Sequence, residues 1–305
     1  MNNVISTKVN VYRNVKDYKF TQKLSSEQKQ EITQKLEEVF KNKLTLLNVA
    51  SADAQVVKYL KTNNLILPKT ANVFLSKSDS LCVNLFDDEH IDIIATADGY
   101  NKEVYAKAKE ISELLASKIS LSFNDEYGYL MSDISRIGAG LKCECEICLS
   151  SLKELNKIDQ VKQNIRKLGY SLKETNKPCV YMLSTICNLG FSEKEIFAEF
   201  DKMVAKLQDL EVESAKMLDV TNHDVILDRS LRSLAILKSA YMLTYDELNK
   251  LLINLRTGVN LGMLNITNEQ LIQLQKLTKN KTSEFISQTE TKQLAENVKN
   301  ILKGD

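Results

Sequence analysis

The chain has no tryptophan, two prolines and only nine glycines in 305 residues. So few helix breakers exclude a linker-rich or collagen-like chain and favour helix-rich structure. It also lacks a dominant charge. Forty-one Lys and Arg face 40 Asp and Glu, a formal net charge of +1. That balance gives no bulk attraction to nucleic acid or to an anionic membrane, so neither is expected as a partner. No apolar run approaches the ~20 residues of a membrane span. Asn2 and Asn3 follow Met1 and precede only a short apolar run, so no export-signal pattern is seen there. Six cysteines without such a signal read as reduced cytoplasmic thiols. The length and the 43% hydrophobic content suit one large and one small domain.

What is present falls into two blocks. Val4, Val9 and Val11 alternate with polar residues as in a strand. Val73–Leu75, Leu81–Leu85 and Ile91–Ala95 read as three strands, close enough in sequence for an antiparallel meander. Gly138–Leu149 reads as a long strand and Val180–Leu183 as a short one. Ser25 and Gln28 form a capping box before a helix whose buried stripe is Ile32, Leu36, Val39 and Phe40. Ser51 opens a short helix, and Asn101–Ile119 is a longer one. Ile158, Val161, Ile165 and Leu168 mark another, stopped by Gly169. Ser192 and Glu195 cap a helix that reaches about Leu218.

Beyond it the strand signals cease. The patterns of 228–241, 244–256 and 267–277 are helical, the last two opened by Thr244 with Glu247 and Thr267 with Gln270. The tail from Thr282 is rich in Lys, Glu and Gln and is expected to fray. A mixed block followed by an all-helical block predicts an α+β chain divided near residue 220, into 1–220 and 221–305.

The most telling stretch is Gly128-Tyr-Leu-Met-Ser-Asp-Ile-Ser-Arg-Ile-Gly-Ala-Gly-Leu-Lys142. It resembles the G-Y-L-T-x-C-P-T-N-x-G-T-G-L-R signature of the guanidino kinases, most closely that of the bacterial protein-arginine kinases. Val4–Asn14 is similar to V-x-S-S-R-I-R-L-A-R-N, and Phe86–Asp92 to N-E-E-D-H-I-R. Asn188–Ile196 is similar to N-Q-x-x-L-G-x-S-E-E-x-I. Asp228–Ser233 resembles D-R-V-Y-R-S, and Leu255–Gly262 resembles V-R-L-G-I-D-L-G. These last two motifs belong to the protein-arginine kinases, not to creatine or arginine kinases. Shared order and spacing carry the resemblance over nearly the whole chain.

The resemblance implies a large antiparallel sheet flanked by helices, plus a C-terminal all-helical domain. The reaction it implies moves the γ-phosphoryl group of MgATP to a guanidino nitrogen of a protein arginine. Such chemistry is mostly positioning and charge neutralisation. Arginine forks grip the phosphates, and carboxylates hold the guanidinium. Lys8 and Asn10 stand where the family has two phosphate-binding arginines, while Arg13 is retained. Asp92 replaces a further arginine, so a positive charge becomes negative beside the expected phosphates. At ~4 Å and an effective dielectric of ~20 such a contact is worth about 4 kcal/mol, so the exchange is expected to oppose ATP binding. Lys142 keeps a charge without the fork. Asp133 replaces the reactive Cys, Arg136 an Asn, and Asn64 a His near the nucleotide. Asp88, one methylene shorter than the family Glu, is the remaining carboxylate for the substrate. Where the family has R-G-x-x-G-E-G, the chain reads Lys173-Glu-Thr-Asn-Lys-Pro-Cys179, with Lys173 standing for the loop's arginine. The family's phosphoarginine receptor, R-D-x-x-R-A, has no match in Lys279–Phe285.

These exchanges imply a degenerate protein-arginine kinase homologue with little or no phosphotransfer, acting as adaptor or regulator. The implied partners are a Clp-type chaperone or an active kinase paralogue, in a homodimer or heterodimer formed through the helical domain. The alternative is an active, atypical ATP:guanidino phosphotransferase using MgATP. Lys8, Arg13, Lys142 and Lys173 would then hold the phosphates and Asp88 the substrate. A second alternative is a zinc or thiol module on Cys143, Cys145 and Cys148. C-x-C-x-x-C offers soft ligands, but a structural zinc needs four, and on a strand Cys148 faces away from the other two. The main reading therefore assigns no metal. Asp87-Asp-Glu89 reads equally as a solvated turn. His90 reads as a structural residue or a general base. His223 falls in an expected interdomain loop. Gly138 and Gly140 read as a tight backbone turn more readily than as a phosphate cradle.

Overall fold

The computed structural model describes residues 3–76, 80–186, 189–278 and 287–303. Strand β1 (Val4–Arg13) lies inside an eight-stranded sheet. The other strands are β2 (Leu44–Asn48), β3 (Asn72–Ser76), β4 (Leu81–Leu85), β5 (Ile91–Asp98), β8 (Leu141–Cys148), β9 (Tyr170–Glu174) and β10 (Val180–Thr185). Their order is β2-β3-β4-β5-β1-β8-β10-β9, with every neighbouring pair antiparallel. A separate hairpin joins β6 (Phe123–Asn124) to β7 (Gly128–Tyr129). The expected meander of β3, β4 and β5 is present.

Side chains alternate across the pleat, so the register sorts the sheet into two faces. Val11, Ile93 and Leu141 share one row, and Val9, Ala95 and Cys143 the next. These belong to the main apolar core. It is closed by α1 (Ser26–Phe40), α3 (Glu103–Lys118) and the first half of α6 (Glu193–Ser239). The opposite face carries Ser6, Lys8, Asn10 and Tyr12 on β1 against Glu146, Glu144 and Lys142 on β8. Its β3–β5 end is apolar, under Leu60 of α2 (Ala54–Thr62) and Leu65, and Ile5, Cys148 and Val180 form a second small apolar cluster.

A second core lies among helices after residue 230. Leu237 of α6 packs with α7 (Tyr245–Asn260), α8 (Asn268–Leu277) and α9 (Gln288–Leu302). Two further short helices, α4 (Ser150–Glu154) and α5 (Ile158–Lys167), follow β8. The buried Glu211 of α6 accepts from Ser151 N (2.7 Å), Leu152 N (3.1 Å) and Ser150 Oγ (3.1 Å), capping α4 from across the core.

The capping boxes at Ser25, Ser192 and Thr267 form as expected. Several expectations are corrected. Asp53, not Ser51, caps α2, because its carboxylate reaches the amides of Gln55 and Val56. The strand expected from Gly138 begins at Leu141, because positive φ at Gly138 and Gly140 turns the chain first. The tail does not simply fray: α9 buries Leu294, Ala295, Val298 and Leu302. The helix expected to stop near Leu218 runs on to a kink at Asn222 (φ −139°, ψ 30°), and a second helical stretch continues from there to Ser239. His223 is therefore helical and meets Asp219 Oδ1 at 2.8 Å one turn back. No helix among the described residues is long and apolar enough to cross a membrane.

Candidate functional site

On the polar face Lys8 and Lys142 meet on a single carboxylate. Glu144 lies 3.7 Å from Lys8 Nζ and 2.6 Å from Lys142 Nζ. Register explains this: Glu144 is opposite Lys8 on β1 and two residues along β8 from Lys142. Burial alone raises the Glu144 carboxyl, but the two lysines outweigh it and hold it below its ordinary value. Glu146 continues the row with Lys177 at 3.8 Å.

Arg13 sits at the end of β1 and is wholly buried. Its Nη1 donates to the carbonyls of Tyr12 (2.7 Å), Ala139 (3.2 Å) and Gly140 (3.4 Å), and its Nη2 pairs with Glu193. The Tyr129 ring covers it at 3.7 Å. Two glycines of the signature make room for this arrangement. A Cβ on Gly140 (φ +58°) would lie 2.8 Å from Tyr12 O and 2.9 Å from Arg13 Nη1. One on Gly128 (φ +78°) would lie 2.6 Å from Gly138 O, against which Tyr129 N bonds at 2.8 Å.

The acidic turn between β4 and β5 is tied down on all sides. Glu89 is wholly buried and accepts from Asn14 Nδ2 (2.7 Å), Ser132 N (3.0 Å) and Ser132 Oγ (2.8 Å). Asp88 pairs with Lys69 at 2.8 Å and Arg136 at 3.2 Å. The Lys69 hydrogen bond, helped by Arg136 and opposed by partial burial, keeps its carboxyl below the ordinary range. Arg136 also faces Asp133 at 3.5 Å and lies over the Tyr12 ring at 4.4 Å. His90 accepts from Val15 N at its Nδ1 (3.1 Å) and faces Lys19 O through Nε2 (2.8 Å), and burial lowers its pKa. Both ring nitrogens are thus engaged by backbone, which fits its structural reading.

Asp92 stands between Tyr12 on β1 and Asn84 on β4, fully buried. Neither of its oxygens has a hydrogen-bond partner among the described residues. Asn10 donates to Tyr12 Oη at 3.1 Å, yet its own Oδ1 is likewise unpartnered. Burial pushes the Asp92 carboxyl well above the carboxylate range. A carboxyl raised this way resists ionising, and in its protonated form it carries one O–H donor and no negative charge.

Lys173 shares the face of Lys8 and Lys142 but lies on the edge strand β9, opposite Met182. The register sets it level with Glu146, two strand spacings or about 10 Å across, with Lys142 four residues farther along β8. Asn64 ends the turn after α2 with φ +54°, beyond the β3–β5 end of the sheet. The structure thus brings Lys8 and Lys142 together, places Arg13 and Asp88 in separate ion-paired nests, and leaves Lys173 at the edge. Cys143 and Cys145 point into the main core, and Cys148 into a small cluster with Ile5 and Val180. Burial raises all three thiols, Cys148 to about 12. No group of three metal-binding side chains occurs among the described residues. The 279–285 segment, Cys187 and Asn188 lie outside the described residues.

A family profile described as ATP:guanido phosphotransferase, C-terminal catalytic domain, matches residues 3–214. The protein-arginine kinase McsB C-terminal domain matches residues 223–305. The chain belongs to the protein-arginine kinase family. A protein-arginine kinase of Clostridium perfringens is 30% identical over 278 residues, covering 86% of this chain and 82% of that protein. One from Exiguobacterium is 28% identical over 275 residues, covering 86% and 79%. Among solved structures, the duplicated taurocyamine kinase of Schistosoma mansoni with bound transition-state analogue components aligns with a TM-score of 0.64 at 21% identity. The match covers 72% of this chain and 34% of that one. Lombricine kinase aligns with a TM-score of 0.61 at 16% identity, covering 68% and 66%. These two likenesses bear on the fold, which is that of the guanidino kinases.

Two members of this kinase-family site escape sequence reasoning. Glu144 was hidden because it alternates with core cysteines on β8, like any outward strand residue. The Glu89 hub depends on Asn14 and Ser132, 75 and 43 residues away, and no local pattern links them.

Proposed function

We propose that this protein-arginine kinase homologue does not transfer phosphate and works through protein contacts, as an adaptor or regulator in cytoplasmic Clp-type protein quality control. Its first 220 residues form the kinase-like part and 221–305 the helical part that meets partners. The observation that carries this reading is Arg13. The phosphate-binding arginine retained on β1 is wholly enclosed by three carbonyls, Glu193 and Tyr129. A guanidinium held this way serves the fold. Lys8 and Lys142 support the same reading. A phosphate must compete with Glu144 for both, and at ~4 Å and a dielectric of ~20 each contact is worth about 4 kcal/mol. Asp92 and Asn10 stand where the resemblance places arginines, and neither supplies the fixed positive charge that grips a phosphate. These residues do not fit MgATP. Catalysis would also require Asp88 to be released from both Lys69 and Arg136.

The test is thermal unfolding with MgATP. A ligand at about 100 times its dissociation constant stabilises by about 2.7 kcal/mol. No shift is expected up to millimolar nucleotide. A clear shift, with phosphoarginine formed on a test protein and lost in Asp88→Ala, would overturn the proposal.

A further inference from the structure

The first half of α6 carries a charge pattern that the polar sheet face does not explain. Glu195, Glu199, Lys202 and Lys206 are all exposed. They recur at i, i+4, i+7 and i+11, so they form one stripe about 16 Å long. From its N-terminal end the stripe runs acid, acid, base, base. Reversed in direction, it is its own complement. In an antiparallel second copy, Lys206 falls opposite Glu195 and Lys202 opposite Glu199, and twofold symmetry repeats both pairs. A parallel copy sets like charges against each other, so the pattern also selects direction.

The stripe is one wall of a groove of about 490 Å³. Leu168, Tyr170 and Phe191 line it from the other side. Leu168 is 58% exposed and Phe191 57%. Grouped large apolar side chains of this kind mark a contact surface. Within one chain the stripe is only weakly engaged. Glu199 and Lys202 pair at 2.6 Å, but both are more than half exposed, and Glu195 turns back to the Ser192 cap. Solvated pairs like this one are easily exchanged for pairs between molecules.

We propose that this groove is a self-association face, where α6 of one copy lies antiparallel to α6 of a second. The charge stripes pair, and Leu168 and Phe191 of both copies are covered. The face belongs to residues 3–214 and is distinct from the helical segment through which the family resemblance expects dimerisation.

The test is sedimentation equilibrium of the full chain with reversed stripes. E195K/E199K makes the stripe wholly basic, and K202E/K206E makes it wholly acidic. Each variant alone is expected to lose one association step of the wild-type chain, its dissociation constant rising about tenfold or more. An equimolar mixture of the two is expected to regain that step. The wild-type step is expected to weaken about tenfold between about 0.05 M and about 0.5 M salt. This salt dependence is read on unmutated protein, so it stands even where a variant folds poorly. A wild-type chain that is monomeric throughout overturns the proposal, as does an association indifferent to both reversals and to salt. A mixture of two folded variants that fails to associate overturns it as well.

Discussion

Replacing Asp92 with asparagine is expected to stabilise the protein at neutral pH, and the more so the higher the pH. Asp92 is fully buried, with neither oxygen hydrogen-bonded among the described residues. Burial is the main reason its pKa is raised, with Asp87, Glu89 and Asp88 adding to it and Arg136 opposing. In the unfolded chain it titrates near 3.9. Above that pH the native state keeps a proton that the unfolded chain has released. Stability from this group is therefore complete below about pH 4 and is lost as pH rises towards the folded pKa. The loss is about 1.4 kcal/mol per pH unit, a factor of ten in the folding constant. Asparagine has nearly the same shape and no proton to lose. The stability gap between variant and wild type should thus widen as pH rises from about 4 to about 6. Urea unfolding at constant ionic strength, with equal m-values for the two proteins, reads this directly. Parallel stability curves over that interval, or a variant less stable than wild type at pH 7, would refute the reasoning.

Arg13→Met should destabilise the nucleotide-free protein by about 3–5 kcal/mol, since it strands Glu193 and three carbonyls. Calorimetry checks this, and an unchanged melting temperature would show that Arg13 is not part of the fold's framework. Gly128→Ala combines a positive φ with a Cβ 2.6 Å from Gly138 O and should cost about 1–3 kcal/mol. Gly169→Ala has a similar φ (+84°) but open space around it, so chemical denaturation should show a smaller loss.

The central strands and most helices were legible because burial imposes a strict period on their residues. β4 is buried throughout and the outward residues of β8 alternate with core ones, so both stand out. The edge strands β2 and β9 did not. Thr45 and Asn48 of β2, and Lys173 and Glu174 of β9, are exposed, and five half-solvated residues carry little period. α9 was masked by composition. Its buried residues recur every three or four positions, but Lys, Glu, Gln and Asn fill most of the gaps. The positions of the candidate site were legible only through family resemblance. Their state was not. That Lys8 and Lys142 share one carboxylate follows from the β1–β8 register, and that Asp92 is sealed follows from what covers the sheet. Both are set by contacts far apart in sequence.

α6 has a mechanical consequence. Its 47 residues make a kinked rod, with arms of about 44 Å and about 26 Å meeting at Asn222. One end is bolted under the sheet by Phe200, Val204 and Leu207, and the other is bolted among the late helices by Leu237. A rod fixed at both ends cannot slide at one and rest at the other. Any load that shifts the late helices is felt beneath β8 unless the rod bends. Asn222, where the backbone leaves helical geometry, is its natural fulcrum. The two cores are joined as lever and anchor, not as beads on a string.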